Sequence, residues 1–276
     1  MPVSRRRRPR FSAGTIVWQV VIWTILAFLL VPSLIVIITA FNDQKAIDFP
    51  PQSLSLRWFR VAFAYDDFRL GFANGVIITA WASVIAVIVG TTAAYAIDRF
   101  DFSAKAALET LLLSPLVIPH FTVGLSFLIL ASNIWLTQSY ALVIVTHVVL
   151  VLPFVLRNVY VSLRNLDPSI ARAAEGLGAS RLQVFLRVDL PLLLPGVFGG
   201  WLFAGIISFN EVTATLFVTV QRNQTLPVAM YAYVRDAADP SLAAVSTLLI
   251  ISTAALLIFA DRYLGLRRLL GIEGPP

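Results

Sequence analysis

From Thr110 to Leu156 the chain carries no formally charged side chain, only His120 and His147. A helix crossing the hydrocarbon of a bilayer takes about 20 apolar residues, so this run is too long for one crossing. Composition points the same way. Of 276 residues, 58% are hydrophobic and 13% charged, with a mean hydropathy of +0.84, where a soluble domain carries roughly 25% charge. The chain therefore reads as an all-α, polytopic membrane protein built as one integrated bundle. It has no cysteine, which excludes disulfides and thiolate metal sites.

Hydropathy predicts six membrane helices: Thr15–Phe41, kinked at Pro32, Leu70–Ile97, Ala106–Ala131, Tyr140–Ser162, Leu192–Val220 and Ser241–Tyr263. The third and fourth come from splitting the uncharged run at Ser132-Asn133 and Thr137-Gln138-Ser139. Cationic residues orient them. Arg5 to Arg8 and Arg10 precede the first span, and Arg262, Arg267 and Arg268 end the chain. With Arg99, Lys105, Arg157, Arg164, Arg172, Arg181 and Arg187, fifteen of the 21 Lys and Arg fall on segments predicted cytoplasmic. By the positive-inside rule both termini are then cytoplasmic. The arginine run is a topology signal rather than a nucleic-acid patch. Its following apolar stretch far exceeds the roughly 7–15 residues of a signal-peptide core, so the first helix is expected to stay uncleaved. The expected layout is a basic N-terminus at 1–14, a first helix at 15–41, a periplasmic segment at 42–69, a five-helix core at 70–263 containing a cytoplasmic loop at 163–191, and a tail at 264–276. Within 42–69, LSLRWFRVAF reads either as a short helix on the outer interface or as a packed loop.

The loop is the longest polar segment inside the core. Asp167-Pro168 predicts a helix start, with Asp167 as N-cap and Pro168 at the first position. Gly176 and Gly178 predict its end. Ser180-x-x-Gln183 predicts a capping box opening a second short helix, with Leu182, Phe185 and Leu186 on one face and Pro191 closing it. Helix, glycine elbow, helix makes a knob with an apolar stripe, suited either to a partner's groove or to resting on the membrane surface. Gly176-Leu177-Gly178 lacks the third glycine and the preceding strand of a nucleotide loop, and no GxxxxGK[ST] occurs, so the chain itself is not expected to hydrolyse ATP.

This segment resembles the EAA loop of bacterial binding-protein-dependent ABC importer permeases, the MetI-like type I family, whose pattern is EAAxxxG, nine residues, then IxLP. Ala173, Ala174, Gly178, Val188, Leu190 and Pro191 fall on it in register. Arg172 stands at the usual glutamate position, with Glu175 one turn along. LVIPHFTVG, VLPFVLRNV, NLDPSI, NEVTATLFV, TLPVAMYAYV and DPSLAAVSTLLI extend the likeness over most of residues 70–262, although His120 replaces a more usual glycine. The resemblance implies a permease that pairs with a second homologous permease. Two ATP-binding cassette subunits would hold ATP and Mg2+, and a periplasmic binding protein would deliver solute for alternating access. Arg172, Ala173, Ala174, Glu175, Gly178, Ser180, Leu182, Phe185, Leu190 and Pro191 would grip the ATPase. No cofactor is expected in this chain, and no nucleic-acid partner.

Glu211 is the one acidic residue deep within a predicted span. An ionisable group there costs about 2.5–3.5 kcal/mol to insert, which marks it as functional. Two roles stand open: a carboxylate on the path of a cationic solute, or a salt bridge or gate contact with the partner permease. Ser208, Phe209, Asn210, Phe217 and Tyr231 are its candidate companions on the path, the aromatics offering faces to an ammonium. The tail pattern most resembles the spermidine/putrescine (PotC-like) branch, which implies polyamines, with opines, amino acids, phosphonates, sulfate and iron as alternatives. A homo-oligomeric channel or scaffold is the rival from another class. His120 and His147 read as sitting apart without carboxylate neighbours, so no metal site is expected, and no hydrolase motif occurs.

Overall fold

The structure is a computed structural model of the chain and describes residues 13–45, 49–134, 136, 139–237 and 239–264. The N-terminal arginines, Thr137, Gln138, Arg267 and Arg268 lie outside the described residues. All regular elements described are helical. Five helices are long and apolar enough to cross a membrane, or six if a pair bent at a break counts as one span. The chain divides into two compact units.

The smaller unit comprises the described residues up to Ala62 together with Asp239–Ile250. Helix α1 (Ala13–Thr39) is apolar all round and contains Pro32. After it, the chain doubles back: Ser55 N–H donates to the Phe41 carbonyl at 2.7 Å, and Asp43 N–H to that of Ser53 at 3.2 Å. The stretch left open in the sequence is a helix, α2 (Arg57–Ala64), with Trp58 and Ala62 buried and Phe63 exposed. Phe59 meets Phe41 with ring centroids 5.2 Å apart.

In the larger unit, α3 (Asp66–Arg99), α6 (Tyr140–Arg164) and α9 (Leu190–Phe209) pack pairwise on one another. Helix α3 starts four residues before the expected Leu70. Asp66 and Asp67 in its first turn and Arg99 in its last complement the helix dipole. The core joins Ala86, Ala94 and Ile97 of α3 to Val151, Val155 and Val159 of α6 and Leu193 and Ala204 of α9. Glycines let the backbones close in. A Cβ on Gly90 would lie 2.9 Å from Val155 Cγ1, one on Gly200 would lie 3.1 Å from Val155 Cα, and one on Gly196 would overlap the Ser162 side chain.

Two expected spans are corrected. The third is broken into α4 (Lys105–Leu113), a 310 turn at Ser114–Leu116 and α5 (His120–Asn133), bent by 106°. Pro119 supplies no N–H and disfavours helical geometry at Ile118, so the helix cannot run through. The fifth does not reach Val220. It stops at Phe209, and the chain continues through α10 (Thr215–Val218), a 310 turn at Gln221–Asn223 and α11 (Leu226–Asp236) before α12 (Ser241–Leu264).

Between α6 and α9 the cytoplasm-like loop folds as α7 (Pro168–Gly176) and α8 (Arg181–Val184). Pro191 does not close the second helix, contrary to expectation. Helical backbone runs without a stop from Arg181 to Phe209, with a π turn at Phe185–Asp189. An interior proline removes one hydrogen bond and clashes with the carbonyl four residues back. The wider π turn just upstream accommodates both.

Candidate functional site

The loop builds a knob from local hydrogen bonds. Asp167 accepts from Ser169 N–H at 2.8 Å and thereby caps α7. The same Ser169 contacts hold the Asp167 carboxyl below its ordinary value. Ser180 and Gln183 form the reciprocal capping box: Gln183 N–H donates to Ser180 Oγ at 3.3 Å, and Ser180 N–H to Gln183 Oε1 at 2.8 Å. Of the two elbow glycines, Gly176 is still helical, while Gly178 has φ 91° in the left-handed region that favours glycine.

The expected single apolar stripe divides at the π turn. Phe185 turns inward onto the Tyr95 ring, centroids 4.5 Å apart, whereas Leu182 and Leu186 stay exposed. Leu177 at the tip is 91% exposed, which leaves the knob's outer surface apolar at its apex. Arg172 and Glu175 are both exposed. They line a cleft of about 310 Å3 together with Arg99, Arg181 and Asp189. Ala173 is exposed, Ala174 and Leu190 are half-buried, and Ala171 is buried beneath them.

The second cluster sits at the break after α9, and here the reading of Glu211 changes. It is not within a helix but just beyond one, 7% exposed. Its Oε1 accepts the Ala214 N–H at 2.8 Å at the start of α10. Its Oε2 lies 2.7 Å from His120 Nδ1 at the start of α5. The expectation that His120 has no carboxylate neighbour is therefore corrected, and the partner of Glu211 is found inside the same chain. The two half-helix starts meet closely, since a Cβ on Gly124 would lie 2.5 Å from the Ala214 carbonyl oxygen.

A buried polar chain extends from this pair. Glu211 O accepts from Thr215 Oγ1 at 3.1 Å, and His147 bridges Thr215 Oγ1 at 2.9 Å and Ser208 Oγ at 2.8 Å. Ser208 Oγ in turn lies 3.2 Å from Thr79 Oγ1. Five helices are thus pinned at the break, and His147, expected to stand alone, is its hub. Phe209 and Asn210 instead line an apolar cavity of about 430 Å3 with Phe72, Val76 and Trp201. Glu211, Phe217 and Tyr231 are not on its wall, and Tyr231 is exposed on α11. The candidate path residues therefore do not converge on one site. Among the described residues no group of three or more His, Cys, Asp or Glu could hold a metal ion.

Residues 86–267 match the family described as the binding-protein-dependent transport system inner membrane component. The chain belongs to this family. It is an inner-membrane, multi-pass ABC importer permease subunit of the MetI type, a transport component rather than an enzyme. The putrescine transport system permease protein PotI of Escherichia coli is 31% identical to this permease over 241 residues, 84% of this chain and 85% of that one. The spermidine/putrescine transport system permease protein PotC of Haemophilus influenzae is 27% identical over 240 residues, 87% and 93% of the two chains. In fold, a bacterial ABC transporter involved in the import of the acidic polysaccharide alginate aligns with TM-score 0.68 at 14% identity, over 93% of this chain and 99% of that one. A second alginate transporter structure, in complex with an alginate pentasaccharide-bound periplasmic protein, aligns with TM-score 0.69 at 16% identity, over 90% and 93%.

Proposed function

We propose that this permease forms half of the translocation pathway of an ATP-driven polyamine importer. Its knob at 163–191 would be the point where a separate ATPase drives alternating access. The observation that carries the coupling reading is the knob's construction: two capped helices and a Gly178 elbow that hold Leu177, Leu182 and Leu186 out of the chain's own packing. A connector lying beside its own helices would have no reason to stiffen an exposed apolar apex with two caps. Docking into a groove of the ATPase would bury that apex, with Arg172 and Glu175 on its flank. Arg172, Ala173, Ala174, Glu175, Gly178, Ser180, Leu182, Phe185, Leu190 and Pro191 remain the proposed contact segment, Phe185 acting from within. ATP and Mg2+ belong to the ATPase subunits. The proposed assembly also contains a second homologous permease and a periplasmic binding protein.

The substrate class rests on the relatives named for spermidine and putrescine, not on a carboxylate in the path. Glu211 already has both oxygens engaged within the chain, so its proposed role is to hold the break together, which differs from both of its expected roles. Two measurements test these readings. Co-purification of the ATPase should be lost in Gly178→Asp, because aspartate pays a steric cost at φ 91° and the elbow must reshape. An ATPase that remains bound sinks the loop reading. Spermidine-stimulated ATP hydrolysis by the reconstituted importer tests the substrate, and a system stimulated instead by another solute of the alternatives above removes polyamines.

A further inference from the structure

We propose that Asp189, Tyr95 and Arg99 form the joint through which movement of the knob turns α3, with Tyr95 and Arg99 as positioning residues for transport. Asp189 is 2% exposed at the end of the π turn. A buried carboxylate persists only with partners, and both of its partners come from the last turns of α3. The Tyr95 O–H donates to Oδ2 at 2.9 Å, and the Arg99 guanidinium lies 3.5 Å from the same oxygen. Tyr95 and Arg99 are four residues apart, hence neighbours on one helix face, and they converge on one oxygen of the carboxylate. Phe185, at the other end of the π turn, packs on the Tyr95 ring, and Arg181 sits over Phe100 at 5.7 Å.

Elsewhere the knob and α3 stand apart across the 310 Å3 cleft. The knob is joined covalently to α6 at its start and, through the π turn, to α9 at its end, and a π turn is a local weakness in helical hydrogen bonding. Its direct route onto α3 is this clamp, which is not covalent and can be cut by substitution. The clamp spans the weak turn like a splint, so a push on the knob reaches α3 and α9 together instead of bending the chain at Phe185–Asp189. The inference rests on the reading that the knob is the ATPase contact.

The test uses the full complex with its ATPase. Because the chain has no cysteine, Val76→Cys would be its single thiol, on the α3 wall of the apolar cavity that faces α9. With the parent clamp, maleimide labelling at that cysteine should change about fivefold or more between nucleotide-free and vanadate-trapped complex, as expected of a coupled two-state element. In Tyr95→Phe and in Asp189→Asn the ATPase should stay bound and hydrolyse ATP while that dependence disappears. Asp189→Glu should recover part of it. Persistence of the dependence in both variants overturns the joint, as does its absence in the parent, or loss of assembly in both variants, which would make the cluster a folding contact. If Gly178→Asp releases the ATPase while the clamp variants respond normally, only the joint falls. If Gly178→Asp keeps it, the underlying loop reading falls first.

Discussion

Single residues at the break carry the sharpest consequences. Removing the His120 ring leaves Oε2 of the buried Glu211 without its partner, a loss of about 1–3 kcal/mol for an unsatisfied group and more when it is charged. His120→Ala is therefore expected to lower thermal stability in detergent, and a double-mutant cycle with Glu211→Gln should show non-additivity, since the two touch. Additive losses would mean the contact contributes nothing. Asp167 gives a pH signature. Its carboxyl is held below the ordinary value by Ser169, so the cap it supplies is complete above the unfolded value and is lost as pH falls through the lowered folded value. The protection factor of the Ser169 amide, its exchange divided out by the intrinsic pH dependence, should thus be flat from neutral pH down to the ordinary carboxyl range and fall only below it. A loss of protection near neutrality would contradict the cap. Caps of this kind were legible in the sequence because donor and acceptor lie two or three residues apart. The His120–Glu211 and Tyr95–Asp189 contacts join residues 91 and 94 positions apart, and no local pattern marks either partner.

At the scale of elements, hydropathy located every long span but could not see where two of them stop. The run around Ser114–Pro119 has no charge, and the run from Asn210 to Val220 carries a single charged residue among Val, Leu, Phe and Thr. What ends the helices there is Pro119 and the polar group of Glu211, which takes the Ala214 N–H for itself. Periodicity likewise placed Leu182, Phe185 and Leu186 on one face, whereas Phe185 turns onto the Tyr95 ring and the two leucines stay exposed. Close packing also joins the long spans α3 and α6. A Cβ at Gly90 would press on Val155, and overpacking of this sort costs about 1–3 kcal/mol. Gly90→Ala should destabilise the detergent-solubilised permease by that amount, whereas Gly176, with nothing within 4 Å of an added Cβ, should accept alanine with no such cost. Equal effects at the two positions would contradict the packing described.

For the whole molecule the sequence spoke clearly on class and family, because both reside in composition and in motifs that stay contiguous along the chain. It also makes a topological claim, through the distribution of Lys and Arg, that placement of helices alone does not decide. In this cysteine-free chain, Ile272→Cys should be labelled only from the cytoplasmic side and Gln52→Cys only from outside, and labelling both from one side would refute an even number of crossings. The glycine contacts of α3, α6 and α9 add a last consequence. Helices that meet at Gly90, Gly196 and Gly200 with no room for a Cβ resist deformation there, so compliance is left to the interruptions at Ser114–Pro119 and, once the His120–Glu211 contact releases, Asn210–Ala214. Amide protons along the three helices should then exchange only on the slowest timescale. Those at the two interruptions should exchange early and respond to nucleotide, making a cycling transporter resemble stiff rods turning on two short flexible straps.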